Sequence, residues 1–562
     1  MIPKINGQAT ENQDIFVFPK QFYSGNKSYT KIFIQRMAGL GFSHNSMRPT
    51  ISFKRCELGN QEYVLEIRHN GIVIQAKDDG GFYFGLITLF QMIAGTNGHL
   101  RCGKYQDRPR FQYRGVMLDV CRHFFSIQEV KKIIDQMSLL KLNKFHWHLS
   151  DDQGYRIESK LFPQLNTISS YRQLDEYDPL VERGVCRAGD KYGGYYTQEE
   201  IKEVIAYAEE RFIEVIPEIE LPGHSTAILS AFNDLTCNGE KLRVASTFGI
   251  HERIFCAGNG KVYEFVSKLL DEVCALFDSD YVHIGGDETS KNEWKRCSKC
   301  NAVMKKQGYS DYEQLQCFFT NKVIDHLKSL GKTPIVWNES AIDSCLDESA
   351  IIQYWMEMSP GESYVAKELP KGRKFILSNQ GQFYCDYSYA ETPLRATLNY
   401  EPQVKGNAVP DKNVLGIEAP MWTEWTPDNI DIEKMLYPRM LTVAECGWTE
   451  QRDTEDFLKR AKSYLDIPTL NILSPMPWSD ANISGDEALR IIAQKILELS
   501  GRHGKMAKKQ GKTAQAVVHD DAPKTDEQTM VWLYMKAKME AAYSDEDIKK
   551  VLRLISEMRK EA

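Results

Sequence analysis

The 562-residue sequence predicts an α/β chain: a (β/α)8 barrel preceded by a small α+β domain and followed by a mainly helical C-terminal region. Three observations carry that expectation. Between Arg114 and Trp448, short apolar segments alternate with amphipathic ones, as when helices connect the strands of a parallel sheet. Before them, brief alternating segments contain a hairpin signal, and after them apolar strands give way to charged helical stretches. Eight strand segments suit closure into a barrel, with an open doubly wound sheet as the competing architecture.

The leading region, residues 1–108, carries DIFVF from Asp14 and YVLEIRHNGIVIQA from Tyr63, in which Asn70-Gly71 separates two apolar runs. GFYFGLITLFQMI then reads as a helix, and QDRPR closes the region. The barrel, residues 109–455, takes strands beginning at Gly115, Lys144, Phe212, Tyr281, Pro334, Ile351, Lys374 and Leu415. Val130, Ile133, Ile134, Met137 and Leu140 mark one helical face, and Thr197 with Glu200 and Ser310 with Glu313 have capping-box spacing. In residues 456–562, helices are expected from Asp486 and from Met530, around a polar, lysine-rich linker or loop near 500–526. That segment is a candidate for packing on the barrel, for homo-oligomerisation or for contact with a second protein.

A net charge of −7 with no large basic block argues against nucleic acid as a partner. No apolar run approaches a membrane span, and MIPKINGQAT lacks the apolar core of a signal peptide. The expectation is a cytoplasmic chain, unless an export signal has been trimmed. Thirteen cysteines without a repeating pattern, among them Cys121, Cys274 and Cys317, suggest reduced, buried thiols. Cys297 and Cys300 form half a zinc motif with no second pair at zinc spacing, and we read it as structural or incidental.

The ends of the strand segments hold a non-random set of side chains. LDVCRHF offers Asp119, Arg122 and His123; HWHLSDDQGY offers His146, His148, Asp151 and Asp152; PEIELPGH offers Glu218, Glu220 and His224. YVHIGGDET ends in Asp287 and Glu288, and the later strands supply Trp337, Trp355, Tyr384 with Asp386, and Trp422 with Glu424. Acids and an arginine among tryptophans suit a sugar, whose apolar face covers an aromatic ring while charged groups bond its hydroxyls. In an extended segment Asp287 and Glu288 would point to opposite sides. They therefore do not fit the acid and nucleophile of an ordinary retaining glycosidase, which flank the bond about 5 Å apart. One general acid plus one orienting carboxylate, with the nucleophile supplied by the substrate, is the coherent alternative.

The motifs RGVMLDVCRHFF, KLNKFHWHLSDDQGYRIE, PEIELPGH, HIGGDE, YCDY and APMWTEW together resemble glycoside hydrolase family 20, the β-N-acetylhexosaminidases. The resemblance implies an exo-acting, retaining hydrolase of terminal β-linked GlcNAc or GalNAc, working on small or oligosaccharide substrates through a 2-acetamido oxazolinium intermediate. It implies Glu288 as general acid and then base, and Asp287 as acceptor for the acetamido N–H. Arg122, Asp386 and Glu424 would hold the far hydroxyls, Tyr384 the acetamido oxygen, and Trp337, Trp355 and Trp422 would wall the pocket. Asp151 and His224 would support Glu288, strand register deciding between Asp151 and Asp152, while His148 and Glu220 are further candidates for lining the site. His146 and His148 have strand spacing for metal ligands, but the resemblance implies no metal or cofactor. Trp425 and Trp448 are read as packing. Tyr155 stands where family members often have tryptophan. A lacto-N-biosidase with a roomier pocket, or a carbohydrate-binding protein without turnover, are the alternatives.

Overall fold

The computed structural model describes residues 1–562 apart from Asn26, 46–48, 358–360, Asp466, 468–471, 473–474, Ser484, 510–538, 540–541 and Ala562. The leading region folds around a five-stranded sheet, in the order Ala9–Val17, His99–Asp107, Tyr63–Arg68, Gly71–Ala76, Ile51–Arg55. The expected hairpin forms, with Arg68 opposite Gly71. Asp79–Thr96 is the expected helix, begun by the Asp78 carboxylate accepting from the Gly81 N–H. This helix is almost wholly buried, because one face covers the sheet and another meets the barrel.

Eight parallel strands close the barrel: Tyr113–Asp119, Lys144–His148, Glu214–Glu218, Tyr281–His283, Thr333–Trp337, Ile351–Tyr354, Phe375–Leu377 and Val414–Met421. Each matches one of the eight segments read from the sequence, and closure excludes the open sheet. Their near-continuous apolar character follows from burial on both faces, under helices outside and against layered side chains inside. Ile127–Leu139 lays Val130, Ile133, Ile134 and Met137 on the barrel, and its N-terminus is a capping box of Ser126 and Glu129. Thr197 and Glu200 form the expected box on Gln198–Glu209. The second expected box is corrected: Asp311, not Ser310, caps Tyr312–Ser329 by accepting from the Glu313 N–H.

Asp107 joins the two regions. Buried, it accepts from the Lys141 ammonium at 2.8 Å and the Trp448 indole N–H at 2.8 Å, as well as from the Tyr63 hydroxyl. Trp448 also packs on Phe84, which makes it core rather than pocket. Cys317 and Cys345 form a disulfide, which corrects the reading of Cys317 as a reduced thiol.

Among its described residues the C-terminal region is mainly helical. Gly485–Lys509 pairs with Asp545–Glu561 around Leu489, Ile492, Ile548 and Val551. Ser500 to Lys509 continues the first helix instead of starting a linker; 510–526 and the expected helical start at Met530 lie outside the described residues. The pair reaches the barrel through Ala390, whose carbonyl accepts from the Tyr543 hydroxyl at 2.6 Å.

Candidate active site

The strand ends converge at the C-terminal mouth of the barrel, where this fold places its reactive groups. The centre is His224, on the loop after the third strand. Its Nδ1 is 3.0 Å from Asp152 and 3.3 Å from Asp151, and its Nε2 lies 3.7 Å from Asp287 and 3.4 Å from Glu288. Burial disfavours charge on the ring, but Asp151 and the hydrogen bonds with both aspartates outweigh it, so His224 titrates well above the usual histidine range. It is an imidazolium between two pairs of carboxylates.

Asp287 and Glu288 therefore do not point to opposite sides, as an extended segment would require. The chain turns sharply at Gly285 and Gly286, both at positive φ, and Glu288 itself has φ 43°. A Cβ on Gly285 would stand 1.8 Å from the Glu220 carboxylate, so only glycine fits. The left-handed backbone at Glu288, and that of His224 at φ 44°, are strained conformations of the kind concentrated at functional sites.

Burial raises the Asp287 carboxyl to about 6, reinforced by Glu288, Glu218 and Asp151 and opposed by the His224 charge. Glu220, fully buried beside it with both carboxyl oxygens unpartnered, is raised well above the carboxylate range by burial and by Asp287. Glu339 is raised likewise, by burial and then by Asp287, and accepts two bonds from the Trp355 indole N–H at 2.8 and 3.0 Å. Sequence reading missed Glu339. It follows Trp337 by two residues in VWNES, so its signal was a strand-end position credited to the tryptophan alone.

The expected supporting pair changes partners. Asp152 makes the shorter contact with His224, 3.0 Å against 3.3 Å for Asp151, and its other oxygen accepts from the Thr226 N–H at 2.9 Å. Asp151 faces the other way as well, 2.9 Å from the Arg122 guanidinium and 2.8 Å from His148 Nε2. Arg122 and both cationic histidines hold its carboxyl well below the usual range, against the opposing effect of burial. Asp151 thus links Arg122 to His224, while Asp152 orients the ring.

Arg122 is 6% exposed. It lies 3.5 Å from Asp119, 3.8 Å from Glu424 and over the face of Trp422 at 4.9 Å. Trp355 and Tyr384 stack at 6.1 Å, and Tyr384 is 6.5 Å from Trp422, forming an aromatic wall. Asp386 sits two residues beyond Tyr384 and raises that phenol, after burial. Trp337 corrects one expectation. It is 1% exposed, donates to Glu218 at 2.9 Å and packs behind Trp422, so it is the pocket's backing rather than an open wall.

His146 and His148 lie deeper, among carboxylates. Burial disfavours their charge, but Glu418 and Glu218 raise His146 to about 9, and Glu218 and Asp151 raise His148 to about 10. Both rings are held between carboxylates, His146 between Glu218 and Glu418 and His148 between Glu218 and Asp151.

Residues 111–451 match the glycosyl hydrolase family 20 catalytic domain, and residues 22–108 match domain 2 of the same family. The chain is 34% identical over 447 residues to a beta-hexosaminidase of Porphyromonas gingivalis, covering 75% of this chain and 55% of that one. It is 36% identical over 406 residues to a beta-hexosaminidase of Vibrio furnissii, covering 68% and 65%. The chain therefore spans less than two thirds of the length of either relative. An exo β-N-acetylglucosaminidase of Vibrio harveyi, solved in complex with N-acetylglucosamine, superposes with a TM-score of 0.75 at 30% identity, covering 85% of this chain and 78% of that one. With its barrel, its leading domain and the strand-end motifs all matched, the chain belongs to glycosyl hydrolase family 20.

Proposed function

We propose that this protein is an exo-acting, retaining β-N-acetylhexosaminidase that removes terminal β-linked GlcNAc or GalNAc by substrate-assisted catalysis. The observation that carries the reading is the His224 ring, set between Asp287 and Glu288 on one side and Asp152 and Asp151 on the other. Both carboxylates meet the same edge of His224, whereas an acid and a nucleophile flank the glycosidic bond from two sides.

Glu288, 26% exposed at its side chain, is the carboxyl that reaches the departing oxygen. It donates its proton as the bond breaks and later takes one from water. Asp287 accepts the acetamido N–H, which makes the amide oxygen a better nucleophile toward the anomeric carbon. Its negative charge then faces the cyclic cation that forms. His224 holds both carboxylates in place and favours the ionised form of Asp287 against burial. Arg122 and Glu424 take the hydroxyls at the far end, and Trp355, Tyr384 and Trp422 cover the ring and the acetamido methyl. The relatives' names, which speak of hexosaminidase and N-acetylglucosaminidase activity, support the substrate class.

A thiazoline mimic of the cyclised intermediate tests the reading. Strong competitive inhibition, weakened about 100-fold or more in Asp287→Asn, is expected from loss of a charge-assisted contact. Equal inhibition of the two proteins would remove Asp287 from its role.

A further inference from the structure

Cys297 and Cys300 are half a zinc motif in the sequence, but the fold brings Cys237 and Cys256 to them. The four sulfurs lie within 4.8 Å of one another. Cys256 Sγ is 3.7 Å from both Cys297 and Cys300, and Cys237 Sγ is 3.9 Å from Cys300. A disulfide requires about 2.05 Å. Zinc held by four thiolates at about 2.3 Å separates its sulfurs by the edge of a tetrahedron, roughly 3.8 Å.

The backbone is shaped to the same end. Gly258 lies so near the Cys297–Cys300 turn that a Cβ there would meet the Lys299 carbonyl carbon at 2.2 Å. Its N–H donates to the Cys256 sulfur, as backbone amides do around thiolates that carry charge. Cys256, Cys297 and Cys300 are buried, and Cys237 closes the cluster from its half-exposed side. No regular spacing betrays the set, because Cys237 and Cys256 precede Cys297 by 60 and 41 residues.

We propose that Cys237, Cys256, Cys297 and Cys300 form a tetrathiolate site for a zinc-class divalent cation. Four thiols release four protons and donate four lone pairs, with no change of oxidation state, giving a complex of charge −2. With all four positions taken by protein, the site is structural. Its place suggests what it stabilises. Cys237 and Cys256 lie on the segment that follows His224, and Cys297 follows Glu288 by nine residues. Phe255 already joins these segments, donating its N–H to the Pro222 carbonyl at 3.1 Å and accepting from the Trp294 indole at 2.9 Å. The cation cross-links the loop that carries His224 to the loop that carries Asp287 and Glu288.

The test is metal content of the full chain, prepared in reductant, reconstituted with zinc and gel-filtered, alongside Cys300→Ser and the milder Cys237→Ser. About one zinc per chain is expected in the parent, falling at least tenfold in Cys300→Ser. Cobalt(II) in place of zinc should give thiolate-to-metal charge transfer and intense tetrahedral d–d bands in the parent and not in Cys300→Ser. A folded parent chain that retains less than about a tenth of an equivalent would overturn the proposal, as would metal content and cobalt spectra unchanged by both substitutions. Disulfide-linked peptides joining these cysteines in metal-free protein isolated without oxidant would overturn it as well.

Discussion

Replacing Asp287 by asparagine separates what the carboxylate costs the fold from what it gives the reaction. Its pKa rises from the usual 3.8 to about 6, chiefly through burial, and its side chain is 13% exposed, so little solvent screening applies. An acid whose folded pKa is raised is no burden while both states are protonated, and it lowers stability as pH climbs from the unfolded value through the folded one. The cost reaches about 3 kcal/mol near pH 8 and is roughly half that near pH 5. Asp287→Asn should therefore stabilise the chain more at about pH 8 than at about pH 5, by roughly 1.4 kcal/mol. With an unfolding entropy of about 2.1 cal/mol/K per residue, the larger figure corresponds to a Tm rise of roughly 2–3 °C. Differential scanning calorimetry at the two pH values reads this, and turnover of an aryl β-N-acetylglucosaminide should fall at least about 1000-fold in the same variant. A Tm difference that shrinks as pH rises, or that is independent of pH, would refute the assignment of a raised pKa to Asp287.

Glu288→Gln should lower kcat by about 10²–10⁴ on glycosides with poor leaving groups while leaving affinity for the thiazoline largely intact, checked by comparing natural disaccharide with activated aryl substrate. Arg122→Ala strands Asp119, Asp151 and Glu424 without their shared cation, so a loss of about 3–5 kcal/mol of stability is expected in denaturant titration, together with raised KM. Tyr384→Phe keeps the stack on Trp355 but removes the hydroxyl, and should reduce kcat with a Tm within about 1 °C of the parent.

The eight strands were legible because a buried parallel strand is an apolar run and because helices between them repeat at a different period. The strand ends were legible because polar residues stacked at the close of apolar runs have little reason to be there except chemistry. What the sequence could not convey was direction. Asp151 and Asp152 are adjacent, and only the small antiparallel pairing of Ser150–Asp151 with Gly154–Tyr155 decides which one meets His224 squarely. The turn at Gly285-Gly286 was visible as glycine but not as the left-handed path that brings Asp287 and Glu288 onto one imidazole. Trp337 shows the opposite limit, since a strand-end tryptophan can lie one layer too deep to face the pocket. The cysteine cluster escaped because its members are distant in the chain, and spacing carries no signal across such distances, whereas Glu339 escaped because its strand end was credited to Trp337 alone. In the C-terminal region the lysine-rich composition after Ser500 suggested a loop, yet Lys505, Lys508 and Lys509 are good helix formers and the helix runs through them.

The most direct test of the account is the hydrolysis of matched p-nitrophenyl β-glycosides of N-acetylglucosamine, N-acetylgalactosamine, glucose and lacto-N-biose. Because the nucleophile is the substrate's own acetamide, turnover is expected on the two acetamido monosaccharides and not on glucose, a difference of several orders of magnitude in kcat/KM. Comparable turnover of the glucoside would contradict substrate-assisted catalysis, release from lacto-N-biose alone would contradict the single-sugar pocket, and no turnover on any of the four would contradict the assignment of an enzyme.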